Sequence, residues 1–254
     1  MTKNYIIISI TLFLMLFNFS LSNAQTESNS EEKTSPFKVG TDVVSRYVWR
    51  GMNIAGESVH LQPSMKVGIA NTGIEVGAWG SYGISNGFNE SDLYIAYTPI
   101  SAFTFTLNDY FVPANSNKQK YFEWQKDSTI HTIETIFGFN GTEKIPFTLL
   151  FAVNVYGLDA KNKDNKIVYS KYVEMGYAKE IRKTNLKVFL GACLDKPEEG
   201  MKGYYGQTDI GVINLGLTVS KAIEITDKYS LPIYTSIVTN PQAENIYIVF
   251  GITF

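Results

Sequence analysis

The chain is poor in the residues that most often carry chemistry. Among its 254 residues there are one cysteine, two histidines and three arginines. A single thiol, Cys193, excludes an internal disulfide and any metal site built on cysteine. No cysteine opens the chain after its apolar leader, so the pattern for lipid attachment is missing. The phosphate loops G-x-G-x-x-G and G-x-x-x-x-G-K-[ST], the zinc motif H-E-x-x-H and the calcium-loop spacing are absent too. The sequence therefore implies no cofactor and no metal. Long apolar runs are confined to Ile6–Leu21, interrupted by Asn18 and shorter than the roughly 20 residues a spanning helix needs. Beyond that run no three-to-four-residue apolar period is sustained, which excludes a helical architecture.

The leader has a positive start at Lys3, the apolar run, and small residues Ser22-Asn23-Ala24 before Gln25. This is the composition of an export signal, which predicts a cleaved signal peptide at 1–24. Its removal leaves 21 basic and 24 acidic side chains, a net charge of about −3 that argues against a nucleic-acid partner. Residues 25–36, QTESNSEEKTSP, are polar and aperiodic and read as a flexible lead-in. Residues 37–254 carry no internal linker and read as a single unit.

What is present is alternation. In VHLQPSMKVGIA, residues 59–70, Val59, Leu61, Pro63, Met65, Val67 and Ile69 share one face, and His60, Gln62, Ser64, Lys66 and Gly68 the other. A period of two means strand, although Pro63 cannot donate to a ladder. About twelve such runs recur, near 37–50, 58–70, 74–83, 91–98, 102–112, 129–139, 146–156, 168–178, 185–194, 207–221, 229–239 and 244–254. Each is close to the roughly 9 to 11 residues of a tilted membrane-spanning strand. Alternation alone does not separate a lipid-facing strand from one in a soluble sandwich. The connections do. Counted from the first strand, the odd ones include the three longest, 113–128, 157–167 and 195–206, and the even ones the shortest, 71–73 and 99–101. The fold predicted is all-β, a transmembrane antiparallel barrel with short periplasmic turns and longer extracellular loops. In lipid such strands have to close, because no backbone N–H or C=O there can go unpaired.

The stretch S-R-Y-V-W-R-G at 45–51, with Leu61-Gln62-Pro63, Gly77-Ala78-Trp79-Gly80-Ser81 and Asp92-Leu93-Tyr94, resembles the TorF-type porin family of exported outer-membrane proteins. The likeness is concentrated in residues 40–98, and Glu90 is set off from Asp92 by Ser91, a loose fit to the family pattern. The resemblance implies an outer-membrane barrel with pore activity, and it brings no substrate and no catalytic residues. Phe250, Ile252 and Phe254 on one face of the last strand are similar to the signal read by the barrel-assembly machinery.

If the apolar faces meet lipid, the polar faces line the interior. Candidate solute-lining residues are then Asp42, Arg46, Arg50, His60, Gln62, Lys66, Glu75 and Asp92, with Asn108, Glu134, Asn154, Glu174, Lys187, Asp209 and Asn214 on later strands. Two readings of this mixed wall stay open: a hydrated channel for small polar or ionic solutes, or a plug of paired acids and bases. Arg46, Arg50 and Lys66 share parity on neighbouring strands and suggest a cationic strip, with Glu75 and Asp92 as possible counterions. By the same parity Tyr47 and Trp49, near the outer end of the first strand, are expected on the lipid face as interface anchors. The loop from Pro113 to Ser128, with Tyr121, Phe122 and Trp124, is expected to rest its aromatics on the rim. The expected activity is passive diffusion through an outer-membrane porin without enzymatic chemistry. A structural barrel without transport and an outer-membrane lipid hydrolase using His60 or His131 are the alternatives. The hydrolase is weakly signalled, since neither histidine lies beside a nucleophile motif.

Overall fold

The computed structural model describes residues 35–113, 120–126 and 128–254. The expected signal peptide and residues 25–34 of the lead-in lie outside them. Twelve strands form one closed antiparallel barrel. In chain order they are β1 (Phe37–Val44), β4 (His60–Ile69), β5 (Ile74–Gly83), β6 (Asn89–Ile100), β7 (Phe103–Phe111), β8 (His131–Phe139), β9 (Phe147–Gly157), β10 (Lys171–Ile181), β11 (Thr184–Cys193), β12 (Gly211–Thr226), β13 (Tyr229–Asn240) and β14 (Asn245–Thr253). Two short strands, β2 (Val48–Trp49) and β3 (Met52–Asn53), form a separate sheet between β1 and β4. Each wall strand pairs with its neighbour in sequence, and β1 closes on β14.

Alternation decides the orientation of every wall strand. On β1, Phe37 and Val39 point outward, Val39 being 83% exposed, while Asp42 and Val44 are buried inside. On β14, Ile246, Ile248 and Phe250 face out, and Val249, Gly251 and Thr253 face in. The result is inverted relative to a soluble core: large apolar side chains cover the outside, and the inside is mostly polar, with buried Asn, Thr, Ser, Glu and His side chains beside a smaller apolar cluster that includes Ile136, Leu150, Tyr172 and Ile213. Leu93, Ile95, Phe105, Leu107, Leu149, Met175, Leu190, Leu217, Ile237 and Ile248 make an exposed apolar belt. One end of the barrel carries the long connections, including 112–130, 158–170 and 194–210, and the other carries tight turns such as 70–73 and 182–183.

Pro63 is accommodated on one side only. The β1–β4 ladder runs through Thr41↔Pro63, whereas the paired positions of β4 and β5 omit Gln62 and Pro63, where proline has no N–H to give.

The first strand is shorter than its residues suggest. It was expected to run to Arg50, but the wall ends at Val44. Ser45 donates its N–H to the Phe250 carbonyl at 2.8 Å, and its hydroxyl accepts the Phe250 N–H at 2.9 Å. That hydroxyl takes the place of the next backbone acceptor, and the chain is released from the ladder. Tyr47–Ile54 then folds as a tight hairpin, with Val48 opposite Asn53, Trp49 opposite Met52 and the Ile54 N–H on the Tyr47 carbonyl at 3.0 Å. Its two-residue turn is Arg50-Gly51, with φ of 49° and 77°. Positive φ at both positions matches the strand twist of a two-residue hairpin, but arginine adopts it at a cost.

Candidate functional site

This hairpin enters the barrel. Around the wall, β8 lies seven strands from β1 in one direction and five in the other, nearly diametrically opposite. Arg50 reaches it and forms a two-pronged ion pair with Glu134, Nη1 to Oε1 at 2.6 Å and Nη2 to Oε2 at 2.9 Å. Both side chains are buried, at 4% and 0% exposure. Glu134 stands at a register shift between Ile133 and Glu134 in the β8–β9 ladder, a local device that re-aims a side chain. Tyr110 of β7 donates to Glu134 Oε2 at 2.8 Å, and Asn108 donates to the Tyr110 oxygen at 2.9 Å. Arg50 Nη1 also donates to the Tyr205 hydroxyl at 2.9 Å.

Aromatic rings surround the guanidinium. Its carbon lies 4.4 Å from the Trp49 ring centre, 4.5 Å from Tyr172 of β10 and 5.7 Å from Tyr205, within the range of cation–π attraction. Tyr204 and Tyr205 come from the 194–210 connection, which also folds inward. Gly51 touches the wall at β12, three strands from β1. A β-carbon there would lie 1.8 Å from the Ile213 carbonyl oxygen, so a side chain cannot be added without moving the tip. Beneath the tip, Asn214 donates to the Tyr172 oxygen at 3.0 Å and to Glu174 at 2.9 Å, and Tyr172 donates to Glu174 at 2.5 Å.

The expected site residues divide accordingly. Asp42, His60, Gln62 and Asp92 are buried on the inner face, and Lys66 and Glu75 pair there at 3.0 Å, with Tyr94 donating to Glu75. Arg46 stays near the rim, pairing with exposed Glu57 at 2.9 Å and lying 5.8 Å from the Tyr247 ring centre. Arg46, Arg50 and Lys66 thus each meet a different carboxylate, and no continuous cationic strip is formed. Asp209 is on the exposed loop before β12, 3.3 Å from Lys196, and not on the inner wall.

Tyr47 and Trp49 are not lipid-facing anchors. Tyr47 packs on Trp79, His60 and Phe88, and Trp49 on Tyr110, Tyr204 and Tyr205. Parity carries no information past Val44, because the residues after it leave the wall. The signals that mark the departure are Ser45 and the Arg50-Gly51 turn, in strands too short to show a period.

The two histidines have separate surroundings. His60 Nδ1 lies 2.9 Å from Ser81 Oγ, with Gln62 donating to the same hydroxyl at 3.3 Å, and its Nε2 is buried without a hydrogen-bond partner. His131 Nδ1 lies 2.6 Å from Asp109, its Nε2 is 2.6 Å from the Tyr121 carbonyl, and Trp124 stacks on it at 3.8 Å. Serine and acid thus engage different histidines, and the serine faces the interior, away from the apolar outer surface. The Tyr121 hydroxyl donates to Asp109 at 2.9 Å, and burial followed by that carboxylate pushes its phenol up to about 12. The described part of the 112–130 connection therefore rests on the rim, whereas the first connection and part of the 194–210 connection fold inward. Among the described residues no group of three or more His, Cys, Asp or Glu side chains is placed to hold a metal ion.

Residues 30–236 match the model of a family described as "Bacterial protein of unknown function (Gcw_chp)". No curated protein matches the chain. Among solved structures, a KdgM porin is similar at 9% identity and a TM-score of 0.45, over 85% of this chain and 97% of that one. The structure of Salmonella typhi OmpF in complex with daunomycin is similar at 8% identity and a TM-score of 0.39, over 86% of this chain and 97% of that one.

Proposed function

We propose that this chain, which belongs to the Gcw_chp family of bacterial proteins of unknown function, is an outer-membrane barrel of the porin kind. It passes small polar or ionic solutes through an interior narrowed by its own first connection. The carrying observation is the inversion of the closed barrel, with an apolar belt outside and buried polar side chains inside. That pattern suits lipid around the barrel and a polar lumen within. The likeness of S-R-Y-V-W-R-G to TorF-type porins supports the same reading. So does the predicted signal peptide, which accounts for export. Phe250 on the outer face of the closing strand and the exposed Phe254 just after it suit recognition by the assembly machinery.

Passage follows from three arrangements in this reading. The wall supplies polar groups, the hairpin sets the width, and the Arg50–Glu134 pair holds the hairpin across the lumen. Gly51 seats the tip against Ile213. Planar-bilayer conductance of the wild type and of Gly51→Ala tests this. An added methyl group lifts the tip and raises conductance several-fold, and a folded Gly51→Ala protein that conducts no more than wild type would overturn it.

One observation favours a second reading, a plugged barrel without transport: the ion pair at the centre is fully desolvated. Liposome swelling with sugars of graded size separates the two, since a permanent plug admits none in either protein.

A further inference from the structure

We infer that the place occupied by Arg50 is a binding seat for a soluble guanidinium or alkylammonium cation, and that Arg50 fills it as an internal stand-in. The inference rests on the reading of the hairpin as a displaceable constriction. The seat is built almost wholly from other elements: Glu134 on β8, Tyr110 on β7, Tyr172 on β10 and Tyr205 on the 194–210 connection. Only Trp49 departs with the hairpin.

The chemistry of the seat is specific. Two carboxylate oxygens face a two-pronged donor at 2.6 and 2.9 Å, a geometry that fits a planar guanidinium better than a point charge. The Tyr205 hydroxyl accepts from the same donor, and the Tyr172 face lies 4.5 Å above it. Tyr110 and Asn108 fix the carboxylate from behind, so Glu134 keeps its orientation when the hairpin leaves. Two more buried carboxyl groups, Glu90 and Asp92 of β6, follow beyond β7, and one oxygen of Glu90 is buried without a hydrogen-bond partner. With Arg50 withdrawn, Glu134 stays in place and loses its ion-pair partner. The left-handed backbone at Arg50 makes the internal occupant a strained one, which favours exchange for a free cation.

The test uses the full chain refolded in detergent micelles, with ethylguanidinium chloride as probe and calorimetry as readout. Arg50→Ala binds the probe saturably. Wild type binds it roughly tenfold or more weakly because Arg50 competes, and the Arg50→Ala/Glu134→Gln double variant is weakened by a similar factor. Ethylammonium binds Arg50→Ala less tightly than ethylguanidinium. Equal affinity in Arg50→Ala and the double variant, or no binding by a folded Arg50→Ala protein, overturns the inference. If Arg50→Ala does not fold alone, it is refolded with the probe present. Recovery with ethylguanidinium but not with tetramethylammonium supports the seat, and no recovery overturns it. Binding in micelles needs no passage, so a protein that binds the probe but never conducts sinks the pore and spares the seat.

Discussion

Arg50 combines three costs that rarely meet in one residue: a left-handed backbone, a buried charge and a long reach across the lumen. Breaking a sealed buried pair by removing one partner costs about 3–5 kcal/mol, mostly because the other charge is left without compensation. If the hairpin can leave, Arg50→Ala lets water reach Glu134, and the loss in unfolding free energy stays below that range. A full loss, measured by urea titration in detergent, favours the permanent plug. At the rim the expectation is smaller. Arg46 pairs with a Glu57 side chain that is 76% exposed, and Glu57→Gln changes stability by no more than about 1 kcal/mol. The inward faces of Asp42, Gln62, Lys66 and Asp92 are legible from period two alone, because each sits on a strand long enough to keep its parity. The partner of Arg50 is not legible. Glu134 is 84 residues away in sequence, and nothing local to either residue announces that they meet.

The wall strands were easier to read than the segment between them. Eight to sixteen residues give a period time to show, whereas β2 and β3 have two residues each and take their shape from a turn. The expected strand at 37–50 fails for that reason: Tyr47 and Trp49 continue the apolar alternation by coincidence after Ser45 has ended the ladder. The belt itself makes a prediction. Leu217 lies mid-strand on the outer face of β12, and Leu217→Arg should cost about 2–4 kcal/mol if that face meets the centre of a bilayer. Urea-dependent folding into liposomes measures it. An unchanged midpoint would remove lipid from the outer face, since arginine at a water-exposed site is nearly neutral.

As a whole the molecule is a cylinder closed by its two terminal wall strands, and that closure was foreseeable from an even number of strands with both ends on one side. A closed barrel of this kind keeps its fold in mild detergent and unfolds on heating, so an unheated sample should run differently from a heated one on a gel. Identical mobility would argue against the membrane barrel. The closing ladder is the shortest in the wall, from Thr41 of β1 to Ser45 just past its end, whereas β12 and β13 pair from Leu215 to Thr226. Pulse-labelling hydrogen exchange during refolding should therefore protect Leu215–Ser220 before Thr41–Val44. The hairpin leaves β1 immediately beside that late seam. It never has to be threaded into a finished cylinder, for the walls zip shut around a strap that β1 already carries.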